Sequence, residues 1–413
     1  MADKTVIPQN RVLRAVVAAA RALNVRAYLV GGPLRDLLLG RPMQDIDVAV
    51  EGDVQRFGPE LARRLNGTFR FYDAFETGTV LLKTGRHVDV ARTRTEVYAR
   101  PAGLPRVTGA DIRADLARRD FTINALAWHL LDRKLLDPFH GLADLHRKVV
   151  RVLHDRSFQD DPTRIFRAVR FSGRLGFRLL PDTNRQMKAA AAAGLVELLS
   201  GKRVLTELRL VCAEPGYQAM FAALNAHRAF RVPKSALRRL ARLQTLGPDL
   251  RLLGLLALLP DTGKLPLTRE QRADIADIQR FPSCQAELRR ARKPSAVFTV
   301  LRTFRANALL VRECWLPPGL ARKVRAHMAT YSQTMPRLHG ADLKVAGIKP
   351  GPVYARILEN LRLAQLDGKV KTRADELALV RRTMAWDRKI TKLKAQDPKC
   401  EVQCSRAGAG GGR

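Results

Sequence analysis

The hydrophobic and polar positions of the chain follow two different periods up to about residue 150. Apolar residues recur at helical spacing over residues 12–20, whereas the alternation typical of β-strands appears at residues 27–30, 45–51, 79–83 and 87–91. Beyond residue 150 the pattern is helical almost throughout. It therefore predicts an α+β fold, in which strands and helices alternate first and helices follow alone.

Proline and glycine recur in the helical part, and we expect breaks between helices near residues 214–216, 282–283 and 317–319. Residues 387–413 are basic and then rich in Gly and Ala, a composition that predicts disorder. A chain of 413 residues is long enough for about two to four domains.

The charge of the chain points to a polyanionic partner. It has 74 Lys and Arg residues against 39 Asp and Glu, a formal net charge of +35. The basic residues are spread over many segments, such as 238–239, 289–293 and 322–325. Because lysine and arginine neutralise phosphates and release counterions, we expect nucleic-acid binding along an extended surface. A generally arginine-rich proteome would give the same charge without such a partner, and that alternative stays open.

The cysteines and the N-terminus indicate a cytoplasmic protein with reduced thiols. The five cysteines are Cys212, Cys284, Cys314, Cys400 and Cys404. The last two are close together, but no second Cys or His pair completes a zinc site. The N-terminus has no signal-peptide pattern, and two arginines interrupt the apolar residues 12–23, which predicts an amphipathic helix and no membrane span.

Two short motifs carry the first candidate chemistry. Gly31 and Gly32 follow one predicted strand, and Asp45 and Asp47 open the next. Because strand side chains alternate between faces, the two carboxylates point the same way and repel each other unless a cation lies between them. Oxygen ligands of this kind suit Mg²⁺, and adjacent glycines let backbone N–H groups approach a phosphate. The alternatives are an ordinary turn and a solvated strand edge.

Further polar residues follow in the same region. Asp89 lies on a strand whose valines face the core, so it is a candidate third carboxylate, or else a salt-bridged surface residue. The apolar run after Phe121 predicts a helix on which Asp120 and Asn124 share a face. Arg119 near a helix start suits a phosphate, and the two polar residues suit ribose hydroxyls. Capping and salt bridging are the alternative.

The start of the helical part holds a second polar group. Asp160 or Asp161 is expected to cap a helix that has Pro162 in its first turn. Asp161 and Arg164 share a face, and together they offer an acceptor and a donor edge, the pattern that binds the Watson–Crick edge of cytosine or adenine. A cap with an ion pair is the alternative. Upstream, we expect Asp144 to brace a neighbouring arginine.

These motifs occur in a fixed order. They are Gly31-Gly32-x-x-Arg35-Asp36, Asp45-x-Asp47, Arg118-Arg119-Asp120-x-x-x-Asn124, Asp137 through Asp144, and Asp160-Asp161-x-x-Arg164-x-x-Arg167. Later counterparts are Ser200-Gly201-Lys202-Arg203 with Glu207, and a block from Gly340-x-Asp342-Leu343 to Leu366-Asp367-Gly368. The ordered set resembles the class II tRNA nucleotidyltransferases, the family of CCA-adding enzymes and bacterial poly(A) polymerases. The resemblance extends from about residue 27 to residue 382.

The resemblance implies a polymerase-β-like nucleotidyltransferase palm at residues 5–150, followed by a helical neck at 151–212, a body at 213–320 and a tail at 321–386. It also implies roles for individual residues. Asp45 and Asp47 would hold Mg²⁺, with Asp89 as a further catalytic carboxylate. Gly31, Gly32 and Arg35 would serve the triphosphate, and Arg119, Asp120 and Asn124 the phosphate and ribose. Asp161 and Arg164 would select the base, with Arg167 close by.

The activity that the resemblance implies is addition of C and/or A residues from CTP and ATP to the tRNA 3′ end, with release of pyrophosphate. The body and tail would hold the tRNA acceptor arm and elbow. Alternatives are an enzyme that adds only A or only CC, a poly(A) polymerase, a catalytically dead RNA-binding protein, and a nucleotidyltransferase for small molecules. Asp160 stands where many CCA-adding members have Glu, and the Asp-Asp-Pro-Thr-Arg form is more similar to the branch that contains A-adding enzymes.

Overall fold

The computed structural model describes residues 10–43 and 45–383. Internal contacts divide the chain into two units, Met1–Leu267 and Thr268–Arg413, and each is described by itself. Residues 387–413 and the last two cysteines lie outside the described residues. The division into palm, neck, body and tail stays a prediction.

The first unit contains all of the named strands. They are β1 (Arg26–Val30), β2 (Asp47–Glu51), β3 (Thr68–Tyr72), β4 (Thr77–Leu81), β5 (His87–Arg92), β6 (Arg94–Val97), β7 (Arg106–Gly109), β8 (Ala127–His129), β9 (Lys134–Leu136), β10 (Val149–Val150) and β11 (Arg178–Leu179). In the described part of the chain, seven of them form one mixed sheet in the order β3-β4-β5-β2-β1-β8-β9. The β2–β5 pair is parallel, and the other pairs of this sheet are antiparallel.

Helices surround this sheet and then continue alone. Those of the first unit are α1 (Arg11–Leu23), α2 (Gly31–Leu38), α3 (Val54–Leu65), α4 (Ile112–Ala117), α5 (Gly141–Arg147), α6 (Ser157–Asp160), α7 (Thr163–Leu175), α8 (Pro181–Ala192), α9 (Gly201–Ala213), α10 (Tyr217–Ala226), α11 (Lys234–Leu240) and α12 (Pro248–Leu258). Helix α1 shows why such segments are helical: the Asn10 side chain caps its start, and Asn24 ends it in a left-handed conformation.

Both faces of the central sheet are buried. Ala49 of β2 packs with Tyr28 of β1 and with Leu116 of α4 on one face. Helices α1 and α3 contact the other face. Val48 and Val50 of β2 are therefore buried as completely as Ala49. This double burial fixes β2, and with it the position of Asp47 at the start of the strand.

The second unit is helical. Its named helices are α13 (Arg269–Arg290), α14 (Pro294–Leu301), α15 (Ala306–Glu313), α16 (Pro318–Ala326), α17 (Gly340–Val345) and α18 (Pro352–Leu366), with a π-helical turn at His327–Tyr331. One core cluster gathers around Phe281, Leu301 and Val324, and another around Leu343 and Leu361. None of the described helices, in either unit, combines the length and the apolar character that a bilayer crossing requires.

Several predicted elements are confirmed and three predictions are wrong. The helix at residues 12–20, the four strands and the helix breaks near residues 215 and 318 are present, although β4 starts two residues earlier than predicted. Asp45 does not lie on a strand, because β2 begins at Asp47. The run after Phe121 is not an α-helix but a 3-10 turn at Thr122–Asn124 followed by β8. Pro282 does not end a helix, because α13 continues through it to Arg290.

Candidate active site

A cavity of about 460 Å³ opens in the first unit beside the start of β2 and α2. It gathers most of the site residues expected from the sequence: Gly31, Gly32, Arg35, Asp47, Arg119, Asp120, Asn124, Asp161, Arg164 and Arg167. Asp89 and Asp45 line two further cavities, one each, and Asp47 lines both of these as well. Residues far apart in sequence are thus brought around Asp47.

The carboxylates of this region centre on Asp47. Asp47 and Asp89 are direct partners across the parallel β2–β5 pair, whereas Asp45 is exposed just before β2. Burial and the neighbouring Asp89 carboxylate raise the pKa of Asp47 to about 6. Asp89 also accepts a hydrogen bond of 2.7 Å from Thr79 Oγ1.

This donor set suits a cation held partly by substrate. Within residues 10–43 and 45–383, no group of three or more His, Cys, Asp and Glu side chains is placed to hold a metal ion. Mg²⁺ commonly takes only one or two carboxylates, and phosphate oxygens and water complete its shell. The like charges of Asp47 and Asp89 repel each other, and a cation bound beside both carboxylates would relieve this repulsion.

Gly31 allows the closest approach in the site. Its φ is +70°, a conformation that side chains rarely adopt. A Cβ at this position would lie 3.3 Å from Arg119 Nη1 and 3.4 Å from Asp47 Oδ2. The glycine therefore brings the start of α2, with its free backbone N–H groups, next to one cation and one carboxylate.

Arg35 of α2 is 2% exposed, and each of its three guanidinium nitrogens donates one hydrogen bond. It donates 2.7 Å to Asn124 Oδ1 and pairs with Asp36, and its guanidinium lies over the Phe171 ring at 5.0 Å from the ring centre. The guanidinium of Arg167 stacks on the same ring. Phe171 thus anchors cations of two helices in one cavity wall.

Asp115 orients two arginines that face the cavity. It is 1% exposed and forms ion pairs with Arg118 at 2.7 Å and with Arg119 at 2.9 Å. Burial alone would raise the pKa of Asp115, but the two guanidinium groups lower it below its usual value. Arg118 also contacts Glu96, whose carboxylate accepts from Tyr98. Asp115, Glu96 and Tyr98 belong to a support layer that was not predicted from the sequence.

Asp120 is saturated by donors from the protein. Its Oδ1 accepts from the backbone N–H of Phe121 at 2.8 Å and from Asn124 Nδ2 at 2.9 Å, and its Oδ2 lies 2.6 Å from Arg167 Nη2. Burial alone would raise the pKa of Asp120, but Arg167 and Asn124 lower it. The salt-bridging alternative thus describes Asp120 well, although it lies in the cavity.

Asp161 and Arg164 stand where the turn before α7 meets the cavity. Asp161 Oδ1 accepts from Thr163 N, the first residue of α7, at 3.0 Å, although the N-cap position itself is Pro162 and not Asp161. Arg164 is 4% exposed and donates 2.7 Å to Ser157 Oγ and 2.7 Å to the Arg118 carbonyl. A guanidinium has five N–H donors, so Arg164 retains donors after these two bonds.

One residue discussed from the sequence lies outside the cavity, and two residues that line the cavity were not predicted. Asp144 braces Arg151 through two bonds of 2.8 Å, which confirms that expectation, and lies away from the cavity. Phe171 and Arg174 line the cavity but were not predicted. A signal was available, because Arg167, Phe171 and Arg174 follow helical spacing on α7.

The comparisons with known proteins fit this geometry. A model of the poly A polymerase head domain matches residues 27–151. An A-adding tRNA nucleotidyltransferase of Geobacter sulfurreducens is 32% identical over 90% of this chain, which spans 47% of that relative's length. An A-adding tRNA nucleotidyltransferase of Halalkalibacterium halodurans is 30% identical over 90% of this chain and 92% of its own length. A CC-adding tRNA nucleotidyltransferase of Deinococcus radiodurans is 29% identical, with coverages of 93% and 96%.

Solved structures agree with these relatives. The apo form II of a CCA-adding enzyme has a TM-score of 0.74 and 28% identity, covering 90% of this chain and 95% of its own. The Thermotoga maritima CCA-adding enzyme complexed with tRNA has a TM-score of 0.69 and 26% identity, with coverages of 90% and 94%. The chain belongs to the tRNA nucleotidyltransferase family, as its motifs indicate. The α+β fold with a polymerase-β-like head is also confirmed.

Proposed function

We propose that this protein is a Mg²⁺-dependent enzyme that adds C and/or A residues from CTP and ATP to the 3′ end of tRNA and releases pyrophosphate. The observation that carries the proposal is the cavity in which Asp47, Arg119 and the Asp161–Arg164 pair meet. One cavity is therefore lined by the three kinds of group that bind a nucleotide. These are a carboxylate for the metal ion, donors for the phosphates, and a polar pair for the edge of the base.

Asp47 is the central metal ligand in this proposal, with Asp45 and Asp89 on either side of it. Bound Mg²⁺ would lower the pKa of the attacking 3′ hydroxyl and neutralise charge on the leaving pyrophosphate. The backbone N–H groups at Gly31 and Gly32 and the side chain of Arg119 would bind the phosphates.

Asp120, Asn124, Arg35 and Arg167 are assigned positioning roles. Their hydrogen bonds join them to one another, and Asp120 accepts four N–H groups, about the capacity of a carboxylate. Direct binding of the ribose by Asp120 and Asn124, which the family resemblance implies, would require these bonds to exchange. Holding the guanidinium groups of Arg35 and Arg167 beside the nucleotide requires no such exchange.

Asp161 and Arg164 would select the base. A carboxylate accepts from the exocyclic amine of C or A, and a guanidinium donates to the adjacent ring acceptor. G and U present the opposite arrangement at that edge, so a fixed pair disfavours them. The excess of basic residues supports tRNA as the acceptor, because each neutralised phosphate adds affinity.

A-addition alone is the second candidate. It is supported by the Asp160-Asp161-Pro162 form of the base-selecting motif and by the two A-adding relatives. The CC-adding relative matches this chain with nearly the same identity and coverage as the A-adding relative of Halalkalibacterium halodurans. The proposal therefore includes both C and A as substrates.

The test is a set of three tRNA transcripts, ending before the CCA sequence, after CC, and after CCA. Each is incubated with CTP, ATP, UTP or GTP, or with CTP and ATP together, and the products are separated at single-nucleotide resolution. CCA-addition predicts extension of the first transcript with CTP and ATP and of the second with ATP. A-addition alone predicts extension of the second transcript only. Absence of extension in every lane contradicts the proposal.

A further inference from the structure

Arg203, in the first turn of α9, reaches two segments that are distant in sequence. Its Nη2 donates to Asp161 Oδ1, and its Nη1 donates 2.8 Å to the Ala102 carbonyl. The Arg203 side chain is 24% exposed and that of Asp161 is 21% exposed, so the pair is largely shielded from water. The second bond fixes the guanidinium itself, because it cannot rotate without breaking the contact with Ala102.

The donors around Asp161 all converge on one oxygen. Thr163 N lies 3.0 Å and Thr163 Oγ1 2.6 Å from Asp161 Oδ1, and Arg203 Nη2 is the third donor to the same atom. Three donors on one oxygen hold the plane of the carboxylate, which otherwise turns easily about its terminal torsion. The side-chain hydrogen bonds described for Asp161 all fall on Oδ1, so Oδ2 is the oxygen left to accept from a base, and Asp161 lines the cavity.

We propose that Arg203 is a positioning residue for nucleotide selection, which acts by fixing the Asp161 carboxylate so that one oxygen alone meets the base. The proposal rests on the proposed function, in which Asp161 and Arg164 read the base. It adds to that site Arg203 of α9, a residue that acts through Asp161 and does not itself contact the nucleotide.

Loss of Arg203 frees the carboxylate in two ways. The remaining donors both come from Thr163, on the same short turn, so the carboxylate gains rotational freedom. It also loses the positive charge that keeps Oδ1 occupied. A rotated carboxylate presents its acceptor at a different angle, so a base with the wrong edge is no longer disfavoured by a fixed mismatch.

A structural role for Arg203 makes a different prediction. If the side chain only joins α9 to the Ala102 segment, its loss lowers stability and lowers the rate for every nucleotide by a similar factor. The ratio of rates for correct and incorrect nucleotides then stays unchanged. The ratio of these rates therefore distinguishes a positioning role of Arg203 from a purely structural one.

The experiment compares Arg203→Met with Arg209→Met, a matched change on the same helix. The Arg209 side chain is 53% exposed and lies 3.6 Å from Asp249, away from the cavity. The readout is kcat/KM for the nucleotide that the wild-type enzyme adds, divided by kcat/KM for UTP and for GTP, on one tRNA. We expect the ratio to fall about tenfold or more in Arg203→Met, the effect of misplacing one hydrogen bond to a charged group. Arg209→Met keeps the wild-type ratio.

Thr163→Val provides a second variant that leaves Arg203 in place. It removes the Oγ1 donor to the same carboxylate oxygen with little change of side-chain shape, and we expect the ratio to fall in the same direction. It decides the question if melting curves show that Arg203→Met does not fold. A wild-type ratio in Thr163→Val, or in folded Arg203→Met, overturns the inference. Wild-type protein that extends no tRNA contradicts the proposed function and this inference with it.

Discussion

Arg167 and Asp120 are 47 residues apart in the chain, yet Arg167 Nε and Nη2 lie 2.8 and 2.6 Å from the same Asp120 oxygen. The carboxylate is 7% exposed. This pair joins the turn before β8 to helix α7, and so it links the two halves of the cavity wall. Removal of either partner leaves a buried charge without compensation.

We expect Asp120→Asn to lower the free energy of unfolding by about 3 kcal/mol, the usual effect of breaking a buried ion pair. In a double-mutant cycle with Arg167→Gln, the two changes should be strongly non-additive. The measurement is urea unfolding of the wild type, both single variants and the double variant. The exposed helix pair of Glu60 and Arg63 serves as control, for which we expect no measurable coupling. Additive effects at Asp120 and Arg167 contradict this assignment.

Gly31→Ala tests the close approach at the start of α2. Alanine at this position must adopt a left-handed φ, which lowers the free energy of unfolding by about 1 kcal/mol. Its methyl group would also lie 3.3 Å from Arg119 Nη1. Gly40→Ala is the matched control, because Gly40 has φ +71° but open space around it. We expect similar losses of stability in both variants and a loss of tRNA extension in Gly31→Ala alone. Equal activity of the two variants contradicts a role for Gly31 in the site.

The sequence predicts elements well where a periodic pattern extends over four or more residues, and poorly where an element is shorter. Helix α1 was predicted from its apolar stripe. Strand β8 is missed, because its three residues, Ala127–His129, are too few to establish a period in the sequence. Helix α13 keeps its helical path through Pro282 because Phe281 and Leu288 are anchored in the core of the second unit, which offsets the lost backbone bond.

The residues of the candidate site also fall into those that the sequence predicts and those that it does not. The glycines, Asp47 and the Asp161–Arg164 pair lie in short motifs, so their residue types and spacing indicate their chemistry. Asp115 and Glu96 act through contacts with Arg118 that depend on the path of the chain in three dimensions. The parallel pairing of β2 with β5, which sets Asp89 opposite Asp47, also follows from topology and not from local pattern.

The pH dependence of stability in the second unit is expected to follow His327. Burial lowers the pKa of His327 to about 4, with a further contribution from Arg362, and its Nδ1 has no hydrogen-bond partner among the described residues. The unfolded chain, with a pKa near 6.5, binds the proton more readily. Stability from this residue is therefore complete above about pH 6.5 and falls as the pH drops toward 4, by about 2 kcal/mol at pH 5.

His327→Phe removes this titration, so the difference in amide-hydrogen protection of the second unit between pH 7 and pH 5 should shrink relative to the wild type. His146→Gln, a change at an exposed histidine of the first unit, should leave the difference unchanged. The same pH dependence in wild type and His327→Phe contradicts the assignment.

Binding of tRNA should weaken steeply with salt. If many of the 74 basic residues neutralise phosphates, counterion release lowers the affinity about tenfold or more between 50 and 200 mM salt. The measurement is a filter-binding titration of one tRNA at several salt concentrations, with melting curves to verify that the protein stays folded. An affinity for tRNA that does not change over this range contradicts the prediction and favours the alternative, a basic composition that does not serve RNA binding.

The most direct test of the proposed active site is Asp47→Asn, which removes one charge without changing the shape of the side chain. Asp182→Asn, at an exposed carboxylate on α8, is the matched control. Extension of tRNA is measured with Mg²⁺ and the preferred nucleotide, and tRNA binding is measured in parallel. We predict that Asp47→Asn binds tRNA as the wild type does but extends it at least about a hundredfold more slowly, whereas Asp182→Asn behaves as the wild type. Extension by Asp47→Asn at a rate near that of the wild type would contradict the assignment of this cavity as the site of nucleotide transfer.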